Sequence, residues 1–225
     1  MNLKRQLLGC LVAGLAGATV AQASVEVTYD GIRSTLISGD IGTDQTVKQP
    51  GHDAFLLGID FGEVHDEPCY LKLTWWRYNE SFSDRRQGEF TTEFDVCDDG
   101  PRAYADKFLE LDNFDRDNLR AIHAIKIGVN NSNGRLKGAK IYGSYIDRHG
   151  DGAVEREPAF QESFTRPNFH HWETRQSCAS GEVAVGVIVE HNDDEIVGMG
   201  LDCAVPEVWE SLPEIGDQAI RPLDF

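Results

Sequence analysis

The sequence predicts an all-β fold: antiparallel hairpin repeats, β-prism-like and disulfide-stapled. Three observations predict it. Apolar and polar residues alternate along short runs punctuated by Gly, Asn and Asp, and helical periodicity is scarce. One hairpin pattern occurs three times along the chain. Four cysteines, Cys69, Cys97, Cys178 and Cys203, follow an apolar leader.

The leader spans residues 1–23. Lys4 and Arg5 open it, Leu7 to Ala18 form an apolar centre, and Ala21-Gln22-Ala23 is a small-residue cleavage site. The apolar run is shorter than the roughly 20 residues of a spanning helix, so it reads as a secretory signal peptide rather than an anchor. Removing it leaves 202 residues with 19 basic and 38 acidic side chains. That length suits a single β domain over residues 24–208. The strongly acidic balance disfavours nucleic acid and anionic membranes as partners. A secreted or periplasmic protein is expected, with no membrane insertion.

The first hairpin lies around residues 55–74. Phe55 to Phe61 alternate, Glu63 to Pro68 turn, and Cys69 to Leu73 return. Asp115 to Ala121 could form a short helical turn capped by Asp115. The second hairpin lies around 122–143, turning at Asn131 to Gly134. The third lies around 182–203, turning at His191 to Asp194. Ala124 to Val129 align with Ala184 to Val189, and without a gap Gly138 meets Gly198. Three sheet modules favour a closed or prism-like arrangement, since open edges invite aggregation. From 209 to 225 the acidic, Pro-containing chain reads as a surface tail.

An even number of cysteines outside the cytoplasm argues for two disulfides. Of three possible pairings, sequence order favours Cys69–Cys97 and Cys178–Cys203. No CxxC pair supports zinc.

The segment from Trp172 to Cys203 also carries a family resemblance. Trp172, Arg175-Gln176, Cys178, Gly181, Gly186, Asp193-Asp194 and Cys203 resemble the repeat unit of the vitelline membrane outer layer protein family. The resemblance implies three such units, a β-prism like that of the jacalin-type lectins, and binding to a glycan or extracellular matrix. The second unit departs from the pattern in lacking the Trp and the cysteines, and the chain carries long insertions at Asn79 to Asp95 and His149 to Phe169.

Candidate binding residues follow from chemistry. Trp75-Trp76 should place one ring inward and one outward, and the outward ring could stack on a sugar. Asp147 ends Gly143-Ser144-Tyr145-Ile146-Asp147, a loose lectin-like spacing. Asp193 and Asp194 sit where a turn could present carboxylates to a sugar or to calcium, although Asp is also an ordinary turn residue. Asp147, Asp151 and Glu155 could form an irregular calcium loop. It is not an EF-hand, because Pro158 stands where that loop needs Glu. His170-His171 are poor joint ligands, since neighbours on a strand face opposite ways. No cofactor is expected, with calcium the one possible ion.

Catalytic signatures are missing: the chain has no GxSxG elbow, HExxH, P-loop or GxGxxG. The expected function is a secreted, non-enzymatic, lectin-like protein. The alternatives are a polysaccharide-acting hydrolase with carboxylates drawn from separate loops, and a structural envelope or coat protein without a small ligand.

Overall fold

In the computed structural model, the described residues are 24–51, 54–64, 67–77, 88–98, 103–110, 119–146 and 154–211. They form fourteen strands: β1 Ser24–Ser34, β2 Ser38–Gly39, β3 Asp44–Lys48, β4 Ala54–Val64, β5 Glu67–Arg77, β6 Glu89–Asp95, β7 Ala103–Glu110, β8 Leu119–Val129, β9 Leu136–Ile146, β10 Val154–Thr165, β11 His171–Trp172, β12 Gln176–Ser177, β13 Val183–His191 and β14 Ile196–Ser211. All pairings are antiparallel.

The strands make three sheets. One runs β1-β14-β13-β3 with β2 also on β14; the second runs β6-β5-β4-β7; the third runs β10-β9-β8-β11 with β12 also on β8. Each is centred on a hairpin: β13–β14, β4–β5 or β8–β9. The inner faces share one apolar core, including Leu56, Leu73 and Trp75, Ile125 and Ile141, and Val187 and Leu201. Alternation decides this: period-two apolar residues put one face inward, and three inward faces close a prism around a common axis.

The axis has two different ends. At the open ends of the hairpins, Tyr29, Phe55, Leu57, Trp76, Ala121, Val183, Val185 and Ala204 form a second apolar cluster. At the other end the three turns meet. Arg135, in the β8–β9 turn, pairs with Glu67 beside the β4–β5 turn and lies 3.5 Å from Glu195 beside the β13–β14 turn.

The outer faces are covered in part by connections, and strand glycines make room for them. On β14, a Cβ at Gly198 would lie 2.3 Å from the Asp40 carbonyl oxygen and 2.7 Å from Ile37 Cγ2. On β8, a Cβ at Gly128 would lie 2.5 Å from the Phe169 ring. Phe169 and Trp172 pack together there with centroids 4.9 Å apart. These glycines serve close approach rather than a turn.

Both cysteine pairs form disulfides, Cys69–Cys97 with Cα atoms 4.8 Å apart and Cys178–Cys203 at 5.5 Å. They do different work. Cys69–Cys97 ties β5 to the end of β6, where Val96 N–H donates to the Cys69 carbonyl. Cys178 instead follows β12, which pairs with β8, and its N–H donates to the His123 carbonyl. Its bond to Cys203 on β14 therefore joins two sheets rather than closing the mouth of one hairpin.

Three sequence expectations need correction. Leu119 to Ala121 begin β8 and are not helical; the rest of that stretch lies outside the described residues. Residues 209–211 are not tail, because β14 continues through Pro206 against β1, as far as Ser211 opposite Ser24. Beyond Ala204 it has β1 alone as a described neighbour, and such an edge tolerates a proline. Third, Trp75 and Trp76 are both buried, at 0% and 4% exposure. Trp75 lies in the core and donates to Thr92 Oγ1 at 2.7 Å. Trp76 faces the other way but enters the apolar cluster at the open end, so neither ring is a surface platform.

Candidate functional site

The turn end of the prism gathers short polar side chains, with Asn131, Ser132, Asn133 and Asp193 exposed. The β8–β9 turn is shaped by its asparagines. Asn130 N–H donates to the Arg135 carbonyl at 3.0 Å, and Asn130 Oδ1 accepts from Ser132 N–H at 2.6 Å. Asn133 Oδ1 accepts from Arg135 N–H at 3.3 Å. Gly134 takes φ +70, and a Cβ there would meet Asp40 Oδ2 at 2.5 Å. With their oxygens bound to backbone donors, Asn130 and Asn133 turn their amide NH2 groups away from those contacts.

Two histidines brace this turn. Asn131 N–H donates to His170 Nδ1 at 3.3 Å. His171 Nδ1 lies 2.5 Å from Asn131 Oδ1, and its Nε2 lies 2.9 Å from Glu173 Oε1. Both histidines thus serve one turn.

The β13–β14 turn supplies carboxylates. Asn192 N–H donates to the Glu195 carbonyl at 2.8 Å, and Asn192 Oδ1 accepts from Thr43 N–H at 3.2 Å. Asp193 is exposed and Asp194 half-buried. Burial pushes the Glu195 carboxyl above its ordinary range, and Glu67 and Asp194 add to this while Arg135 and Lys137 oppose it. Glu195 Oε1 is within ion-pair range of Arg135 but has no hydrogen bond. Arg166 pairs with Glu63 nearby.

Of the residues singled out in the sequence, the fold brings Asp193 and Asp194 to this end and takes Trp75 and Trp76 away from the surface. Asp147 and Asp151 lie outside the described residues, as does the side chain of Glu155 on β10. Among the described residues no group of three or more His, Cys, Asp or Glu is placed to hold a metal ion. That includes the surroundings of Asp193 and Asp194.

Sequence reasoning did not find Arg135, Glu67 and Glu195 as a unit. Each is an unremarkable charge at a strand end, and only the meeting of three turns joins them. A second polar group lies on the outer face of the β8–β9 sheet. Arg175 Nη2 is 2.9 Å from His123 Nε2, and His123 Nδ1 is 2.8 Å from Ser144 Oγ. Arginine only donates, so Nε2 accepts and Nδ1 carries the proton toward Ser144. Burial, with the charge of Arg175, lowers the His123 pKa to about 4. This Ser–His contact runs opposite to a nucleophile and its base: the imidazole donates to the hydroxyl and cannot take its proton.

No family model matches the chain, and no curated protein matches it. Among solved structures, an agglutinin of Calystegia sepium shows 15% identity over 77% of this chain and 95% of its own, with a TM-score of 0.43. Malaysian banana lectin shows 12% identity over 79% of this chain and 100% of its own, with a TM-score of 0.45. AcmJRL, a mannose binding jacalin related lectin from Ananas comosus, shows 13% identity over 79% of this chain and 99% of its own, with a TM-score of 0.38. These are distant likenesses.

Proposed function

We propose that this is a non-catalytic, lectin-like protein that binds glycans at the turn end of the prism and works outside the cytoplasm. One observation carries the reading. The turn end presents braced amides, Asn130, Asn131 and Asn133, on one turn and the carboxylates of Asp193 and Asp194 on another, and Arg135 and Glu195 link the two turns. A sugar hydroxyl both donates and accepts, so a surface that offers both amide donors and carboxylate acceptors matches it. Bracing by the backbone and by His170 lowers the cost of ordering these groups on binding. The two disulfides support an oxidising compartment, and the apolar leader supports export.

A hydrolase is the second reading, and Glu195 favours it: its carboxyl is raised, and Glu67 stands across Arg135. That arrangement fits a structural ion triad better. Arg135 occupies the space between the two carboxylates where a glycosidic bond would have to lie.

A neutral-glycan array run with a reducing-sugar release assay on the same panel tests both. Binding without release, weakened by Asn131→Ala and Asp193→Asn, is the expected result. Release that disappears in Glu195→Gln would replace this reading with the hydrolase. Silence in both assays would leave a structural envelope or coat role.

A further inference from the structure

We propose that the outer face of the β8–β9 sheet is a second binding site, for the anionic groups of an acidic polysaccharide. It lies away from the turn end and does not rest on the reading given there.

Lys126 and Lys140 are direct cross-strand partners, so their side chains share a face. Like charges placed opposite each other destabilise a sheet. The chain has 38 acidic residues and 21 basic ones, and carboxylates for pairing abound. Yet among the described residues neither lysine makes an ion pair. Among the described side chains, the acids on the neighbouring strand and connection are committed or turned away. Glu173 contacts His171, and Glu162 is paired with Ile141, which places it on the other face.

Two residues along β9, about 7 Å at the usual strand rise, stands Tyr142. The Arg175 guanidinium lies 4.1 Å from its ring centroid, and Lys140 Nζ lies 5.4 Å from it. The β8 residue opposite Tyr142 is Ala124, whose methyl lets Arg175 reach across from the connection before β12. One Arg175 nitrogen is held by His123, leaving most of the fork's donors for a ligand. The face therefore carries a pre-set guanidinium and two unneutralised ammonium groups in successive rows.

Such a set recognises carboxylate or sulfate groups. A polysaccharide fits better than a nucleic acid for two reasons. A net charge of −17 repels duplex nucleic acid, which carries a charge about every 1.7 Å of its axis, more than a sugar chain with at most one charge per sugar. Arg175 also covers one face of Tyr142, so that face of the ring is not open to stack on a base.

The test titrates the full protein with polygalacturonate, a polysaccharide bearing one sulfate per disaccharide, neutral dextran and a duplex DNA oligonucleotide. Binding of at least one acidic polysaccharide is expected, and which one binds separates carboxylate from sulfate. The double variant Lys126→Ala/Lys140→Ala should weaken it roughly tenfold or more while leaving the melting temperature unchanged or higher. Arg175→Lys, which keeps charge but loses the fork, should weaken it by less. Asn131→Ala should not change it, which separates this site from the turn end. No binding by the wild type, or equal binding by the double variant, would overturn the proposal. So would DNA or neutral dextran bound as tightly as the acidic polymers.

Discussion

The outer faces of the β13–β14 and β8–β9 sheets stand on corresponding hairpins but are dressed in opposite ways. On β13–β14, the chain from Thr35 to Gln49 lies against the strands, and buried carboxylates are answered by neutral donors. Ser34 Oγ and Gln49 Nε2 donate to Asp202 at 2.6 and 2.5 Å. Gln45 Nε2 and Gly42 N–H donate to Glu190. On β8–β9, the connection after β10 covers the Gly128 and Gly138 row with Phe169 and Trp172 and beyond them lays Arg175 over Tyr142. What remains is cationic, and among the described residues its lysines make no ion pair. Buried acids with matched donors read as architecture. Surface lysines without ion pairs, in an acidic protein, read as a place for something else.

The largest way to break this comparison is to cut the bond between the two sheets. Cys178→Ala should cost roughly 2 to 5 kcal/mol in denaturant unfolding. It releases β12 and the Arg175 connection from β14, and an unchanged midpoint would contradict a structural role. Next come the glycines beneath the covers. Gly198→Ala drives a methyl into backbone and should cost about 1 to 3 kcal/mol. Gly128→Ala meets the edges of two rings that can shift, and should cost less. The reverse order would mean that the covers are not seated as described.

His123 sharpens the comparison through pH. Its folded pKa, about 4, lies below its ordinary value of 6.5. The unfolded chain therefore binds the proton first as pH falls, so this contribution to stability is complete above pH 6.5 and fades toward pH 4. Discounted for its partial exposure, it is on the order of 1 to 2 kcal/mol. His123→Gln should lose less stability between those pH values than the wild type, as read by melting temperature against pH. The smallest effect is that of Lys126→Ala. Relief of the cross-strand repulsion should raise stability by a few tenths of a kcal/mol, and a clear loss would show that the lysine has a structural partner.

The legible part of the fold was what alternation encodes. Runs such as Val183 to Val189 declare a buried face, and asparagine and aspartate clusters declare turns. Two local cysteine pairs were favoured by order alone. Asp193 and Asp194 could be placed at a turn for the same reason. What sequence hid depends on register and on what lies over a face. The opposition of Lys126 and Lys140 follows from an irregularity between Gly128 and Val129 that no residue pattern announces. Trp76 has outward parity yet is buried, because parity names a face and not its neighbour. Strand glycines such as Gly198 look like weak points, although they are contact surfaces for a segment more than 150 residues away. Arg135 needed all three turns before it had a role.

The pairing of β1 with β14 has a mechanical consequence. Ser24 and Ser211 are opposite each other at one end of that ladder, and the rungs run inward to Arg33 opposite Cys203 and Ser34 opposite Asp202. Tension applied at Ser24 and Ser211 would therefore peel the two strands apart like a zipper, loading one rung at a time rather than shearing all of them together. The peeling meets its first covalent stop at Cys203, whose sulfur is anchored through Cys178 beside the neighbouring sheet. Up to that rung the molecule is soft to such a pull, and beyond it the load passes into the prism.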